Sequence, residues 1–146
     1  MNIDVNWKQI IKSTWRTLSP NLTEARKYFY ETLFEASPSS KDLFNLSDGE
    51  HEKKLKETIF FLVERIDSIE SYAEEIKKLG LKHKGYGVKK AHYPVFGEVL
   101  IDTLQKFLSE DWNEAYEITW KWFYQEITRI MLIPKSKKAV FSNNFN

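Results

Sequence analysis

Apolar residues recur every three or four positions along nearly the whole chain, and nowhere do they alternate for the length of a strand. A stripe with that period can be buried on one side only if the backbone is helical. Trp7, Ile10, Ile11, Trp15 and Leu18 form the first stripe, which Ser19-Pro20 stops. A second helix is predicted from about Asn21, carrying Ala25, Phe29, Leu33 and Phe34, with a break at Ser37-Pro38-Ser39-Ser40. After a short turn with Leu43 and Phe44, the polar stretch Asn45 to Gly49 reads as a loop. From about Glu50, Leu55, Ile59, Leu62, Val63 and Ile66 mark a third helix with Lys and Glu on its other face.

Tyr72, Ile76, Leu79 and His83 share the next stripe, and Gly85 and Gly87 are expected to close that helix. Pro94 suits the first turn of the following helix, whose stripe is Phe96, Val99, Leu100, Thr103, Leu104 and Phe107. Asp111 to Glu114 gives a loop or start signal before Tyr116, Trp120, Phe123, Ile127 and Ile130. The fold class is therefore all-α, with six or seven helices of mixed length in one domain. Such helices and short turns fit angled packing at least as well as a plain four-helix bundle. The domain is placed at residues 1–133, and the Pro-broken, basic, Asn-rich segment 134–146 reads as a flexible tail.

Composition narrows the function. Aromatic residues are 15% of the chain, with 5 Trp, 7 Tyr and 10 Phe, enough ring surface for a large core or one that wraps a flat object. A net charge of +1 argues against a dedicated nucleic-acid binder, which needs a basic excess. The absence of Cys removes disulfides, thiolate zinc sites, iron–sulfur clusters and Cys nucleophiles. The opening MNIDVNWKQ has no apolar run of a signal peptide, and no stretch approaches the ~18 apolar residues of a membrane span. A soluble, cytoplasmic chain is expected.

Three histidines are the main chemical inventory. His83 lies on an apolar stripe, where either a satisfied core histidine or a ligand fits. His51 precedes Leu55 by one turn, and His92 stands at a helix start, where capping is the plain role. The three contain no i, i+4 pair of a zinc site. There is no phosphate-binding glycine loop and no nucleophile elbow, and the acidic residues are scattered, so no catalytic residue is assigned. Lys77-Lys78 and the Lys135, Lys137, Lys138 cluster read as solvated surface.

The stretch LGLKHKGYGVKKAHYPVFGEVLIDTL (Leu79 to Leu104) resembles the F-helix, FG corner and G-helix of the globins. It is most similar to bacterial single-domain and flavohaemoglobin-type globins, and also to neuroglobin. The family pattern is LG-x-x-H-x-x-x-GV followed by HYP-x-x-G-x-x-LL. IIKSTW resembles the A-helix, FYETLFEASPSSKDLF (Phe29 to Phe44) the B and C helices, and the chain from Trp112 the H-helix.

The resemblance implies a three-over-three helical sandwich around a pocket for haem b (iron protoporphyrin IX). It makes His83 the proximal iron ligand, its other ring nitrogen fixed by a backbone carbonyl or other acceptor. Phe44 would lie against the haem face, with Leu79, Val88, Tyr93 and Phe96 on the proximal and edge walls. Tyr30 falls at the distal B-helix position and His51 at the distal E-helix position, with Leu55 closing the pocket. Lys82, Lys84, Lys89 and His92 are candidate partners for the propionates. Two departures stand out: only six residues separate Phe44 from His51, and Glu126 is one residue away from the H-helix Glu that supports the proximal His through a Tyr at the Tyr93 position.

The activity implied is reversible binding of O2, or of NO or CO, in a polar Tyr/His pocket suited to scavenging. Nitric oxide dioxygenase chemistry with a separate reductase, and a bis-histidyl redox or sensor form with His51 on the iron, are the alternatives; a haem-free helical interaction module is the least favoured. A monomer or weak homodimer is expected, with Trp120 and Trp122 as core residues before interface ones.

Overall fold

The computed structural model describes residues 6–44 and 48–142, apart from the side chains of residues 48, 49, 51, 52 and 55. Six α-helices are present among these: α1 (Trp7–Leu18), α2 (Leu22–Ala36), α3 (Asp48–Glu64), α4 (Ala73–Gly85), α5 (His92–Leu108) and α6 (Glu114–Met131). Short 3₁₀ segments at Ser19–Asn21, Pro38–Leu43, Ile66–Tyr72 and Ser109–Asp111 join them. No strand occurs among the described residues. The helices form the three-over-three sandwich, with α1, α3 and α4 against α2, α5 and α6.

Local chemistry explains the boundaries. Ser37 precedes Pro38, whose ring disfavours the helical conformation for it, and Ser37 accordingly leaves α2 at φ −145°, ψ 81°. Asn113 caps α6, its side-chain oxygen accepting the Tyr116 N–H at 3.1 Å. The long stripe assigned to the third helix divides: α3 stops at Glu64, and Ile66 and Ile69, both fully buried, lie in a 3₁₀ segment that is non-helical at Ser68. Tyr72 thus precedes α4 rather than opening its stripe.

The core has two clusters: Leu18, Ala25, Leu104 and Leu108 form the smaller, and the larger joins α1, α4, α5 and α6. Trp7 and Ile11 meet Ile76, Tyr93, Phe123, Ile127 and Ile130, with Trp120 and Trp122 packed against them. Trp120 donates its indole N–H to Thr14 Oγ1 (2.9 Å), and the Thr14 hydroxyl donates to the Ile10 carbonyl (2.8 Å), so these buried polar atoms are paired.

Part of the segment read as a tail packs on the helices. Ala139 and Phe141 are buried, and Phe141 lies 6.2 Å from Trp7 and 6.0 Å from Trp122 between ring centroids. Lys77, read as solvated, is buried beneath this segment and donates to the Lys137 carbonyl at 2.7 Å.

Candidate functional site

The site is built on the last turns of α4. His83 is half-buried, and its Nδ1 lies 2.7 Å from the Leu79 carbonyl one turn back. A carbonyl can only accept, so this bond puts the ring proton on Nδ1 and leaves the Nε2 lone pair free. That is the protonation state a metal-ligating imidazole needs.

The helix then ends in a way that fixes the same residue. The Gly87 N–H donates to the Lys84 carbonyl and the Val88 N–H to the His83 carbonyl, both at 3.0 Å, and Gly87 takes φ +97°. This pair of bonds is a Schellman ending, and its left-handed position favours glycine. Of the two glycines expected to close the helix, Gly87 does so; Gly85 is still helical. Gly80 has a different use. A side chain there would fall onto the backbone carbonyl of Met131, so its absence lets α4 rest directly on α6.

Aromatic rings run across the facing side. Tyr30 meets Phe44 edge-on at 5.1 Å and stacks on Phe34 at 5.8 Å; Phe44 lies 6.2 Å from Phe96, which contacts Tyr93 at 6.5 Å. Tyr93, Leu79 and Val88 belong to one packed cluster. Ring contacts thus connect Tyr30, Phe44, Phe96 and Tyr93, and the cluster that holds Tyr93 also takes in Leu79 and Val88, each hydrogen-bonded to His83. Burial raises the Tyr30 phenol above its ordinary value, which keeps it a neutral hydrogen-bond donor. Tyr93 and Tyr124 are raised for the same leading reason, and the Tyr124 hydroxyl donates to the Tyr93 carbonyl at 2.6 Å.

From α3, the Lys54 side chain reaches past the end of α4, its Nζ 5.4 Å from the centre of the Tyr86 ring. His51 and Leu55 lie on this part of α3, but their side chains are outside the described residues. At the rim, His92 stacks on Phe96 (5.7 Å, 11°), and its Nδ1 accepts the Lys89 N–H at 2.8 Å, which leaves Nε2 to carry the proton of the neutral ring. Lys82, Lys84 and Lys89 are exposed. Glu126 is committed elsewhere: Arg129 donates to both of its oxygens (2.8 and 2.7 Å), and the Ser142 N–H donates to one of them. An open cleft of about 920 Å³ lies between α5 and α6; Tyr93 is on its wall and His83 is not.

The globin family model matches residues 27–131, a span holding all of these site residues. The chain belongs to the globin family. An uncharacterized globin-like protein of Aquifex aeolicus is 32% identical over 115 residues, which are 75% of this chain and 83% of that protein. A flavohemoprotein of Halalkalibacterium halodurans is 29% identical over 122 residues, 76% of this chain. This globin spans only 30% of that flavohemoprotein's length. The solved structure of a bacterial globin from Campylobacter jejuni superposes with a TM-score of 0.73 at 28% identity, covering 87% of this chain and 92% of that one.

Globins hold haem, and the side chains of this one fit it. A flat apolar disc with a charged edge needs an aromatic slot, one neutral imidazole and polar groups at the rim. The Phe44–Phe96–Tyr93 wall, the free Nε2 of His83, and His92 with its neighbouring lysines match those three needs.

Proposed function

We propose that this globin holds haem b through His83 Nε2 and reversibly binds O2 or other diatomic ligands on the Tyr30 side. The observation that carries the proposal is the His83 Nδ1 to Leu79 carbonyl contact at 2.7 Å, which fixes the tautomer and the ring orientation together. Bound haem supplies an iron with an open coordination position. Everything else comes from the chain. His83 would hold the iron, while Leu79, Val88, Tyr93 and Phe96 would exclude water around the imidazole. The Tyr30 phenol is kept protonated by burial and donates to a ligand carrying partial negative charge. A hydrogen bond to a charged acceptor contributes about 1.5–3 kcal/mol, so Tyr30 alone would slow ligand release by roughly 10- to 150-fold. His51, on α3, would add a second donor. A pocket that releases slowly suits scavenging better than delivery.

The flavohemoprotein relatives support a second reading, nitric oxide dioxygenase activity. Such turnover would need electrons from a reductase. Sustained NO consumption when a reductase is supplied would distinguish turnover from passive binding. A third reading, which rests on the family resemblance alone, puts His51 on the iron.

The ferrous, ligand-free absorption spectrum tests haem binding and coordination at once. A Soret band with one broad visible band is expected, whereas sharp split bands would place a second side chain on the iron. Stopped-flow O2 release that is already fast, and unchanged in Tyr30→Phe, would overturn the role given to Tyr30.

A further inference from the structure

We propose that residues 134–142 form a strap that positions α4, with Lys77 as its anchor, so that the C-terminal segment sets how firmly His83 is held; this rests on His83 being the iron ligand. The starting point is a cation in the wrong place for a surface residue. Lys77 is only 7% exposed, on the same 13-residue helix as Gly80 and His83. A buried ammonium is costly unless its donors are paired. Its Nζ has three oxygens: the Lys137 carbonyl at 2.7 Å, the Lys135 carbonyl at 3.4 Å and Glu74 Oε2 at 2.8 Å. Two of the three belong to the segment after Ile133.

The remaining contacts show that the segment spans helices rather than lying on one. On the α4 side, Glu74 Oε1 accepts the Ala139 N–H at 3.0 Å. On the α6 side, Arg129 donates to the Val140 carbonyl at 2.6 Å, and Glu126 accepts the Ser142 N–H. Between these polar ties Phe141 stacks on Trp7 of α1 at 13° between ring planes and meets Trp122 of α6 edge-on. The strap thus links α4 to α6 and α1.

The linkage adds polar ties to first turns of α4 that are otherwise held by apolar packing of Ala73 and Ile76. Irregular 3₁₀ backbone precedes it, with Ser68 outside the helical region. The direct rest on α6 is at Gly80, and the far end is closed by the Schellman turn. Lys77 lies six residues, about 9 Å along the axis, before His83. A short helix held at both ends moves as one body, so freeing its first turns lets it tilt on Gly80 and carry His83 with it.

The test uses the full chain with haem. Lys77→Met removes the anchor at similar volume, a chain ending at Ile133 removes the strap, Lys77→Arg keeps donors, and Lys138→Met removes an exposed tail charge that acts on Glu74 only weakly and through space. Two readouts are needed: haem loss to excess apomyoglobin, and the iron–histidine stretching band of the CO photoproduct, which is five-coordinate whatever His51 does. Lys77→Met and the shortened chain should lose haem about tenfold faster, as expected for a lost bond to a charged group, and shift the band in the same direction. Lys77→Arg and Lys138→Met should resemble the parent. If the shortened chain does not fold, Lys77→Met and Lys77→Arg decide alone. Both readouts unchanged in Lys77→Met, even with lower thermal stability, would overturn the proposal and leave the strap as packing. A parent protein with no iron–histidine band would instead overturn the His83 reading, and the strap's role with it.

Discussion

Gly80→Ala sets two effects of opposite sign against each other. Alanine is the better helix former by about 1 kcal/mol, so on propensity alone the substitution should stabilise α4. The new methyl, however, would land on the backbone carbonyl of Met131, and a carbonyl in a helix cannot rotate aside as a flexible side chain can. Relief requires α4 and α6 to part by ~1 Å or more, across an interface where Ile76 and Ile130 are fully buried. Forced separation of a packed core costs about 1–3 kcal/mol or more, which exceeds the propensity gain. Less the propensity gain, a cost at the upper end of that range leaves a net loss of about 2 kcal/mol, which would lower the midpoint of thermal unfolding by roughly 4–8 °C for a chain of this size. Circular dichroism melting of parent and variant, each with haem, is the direct assay. Because His83 is one turn away on the same helix, haem loss should also quicken. A variant that melts higher than the parent would show that propensity wins and that α4 does not rest on α6 at this point.

Three further outcomes follow from individual contacts. Thr14→Val leaves the Trp120 N–H without its acceptor and should cost about 1–3 kcal/mol in urea unfolding, an unpaired buried donor being the expensive case. Glu74 is held below the ordinary carboxylate range, first by Lys77 and then by the Ala139 N–H. A lowered folded value contributes stability that is complete above the unfolded value and lost as pH falls through the folded one. Protection of the Ala139 amide, taken relative to its intrinsic exchange rate, should therefore hold at pH 7 and be lost as pH falls through the lowered Glu74 value; protection insensitive to acid would dissociate Glu74 from tail docking. Burial raises Tyr30, Tyr93 and Tyr124, so their contribution is complete below about pH 10 and lost as pH rises toward the folded values. Ultraviolet titration should show part of the tyrosine absorbance ionising only with unfolding, and seven tyrosines titrating together near pH 10 would contradict this.

Period and punctuation made much of the fold legible in the chain. Trp7, Ile11 and Leu18 are buried as their spacing predicts, and Ser37-Pro38 ends α2 where the proline demands it. His83 was legible only through the pattern around it, since an apolar stripe alone suits a core histidine equally well. Gly87 and Val88 in that pattern become the helix ending that closes on the His83 carbonyl. What stayed hidden depends on distant partners. Gly80 reads as an ordinary helix glycine until the Met131 backbone is placed against it. Lys77 sits in a run of surface-like charges, and the carbonyls that make its burial tolerable are 58 and 60 residues away. Phe141 stands in a polar segment without any period, and what seats it is a pair of tryptophans on two other helices. Glu126 is one residue from a supporting role in sequence, yet its carboxylate is occupied by Arg129 and Ser142.

The central claim is that His83 holds haem iron, and haem titration of His83→Gly with and without added imidazole tests it most directly. The parent should bind one haem with a distinct Soret band. The variant should bind weakly with an altered spectrum, and free imidazole should restore the parent's ferrous CO spectrum by filling the space left by the side chain. A variant that binds haem as tightly as the parent, with the same spectrum and no response to imidazole, would contradict the account.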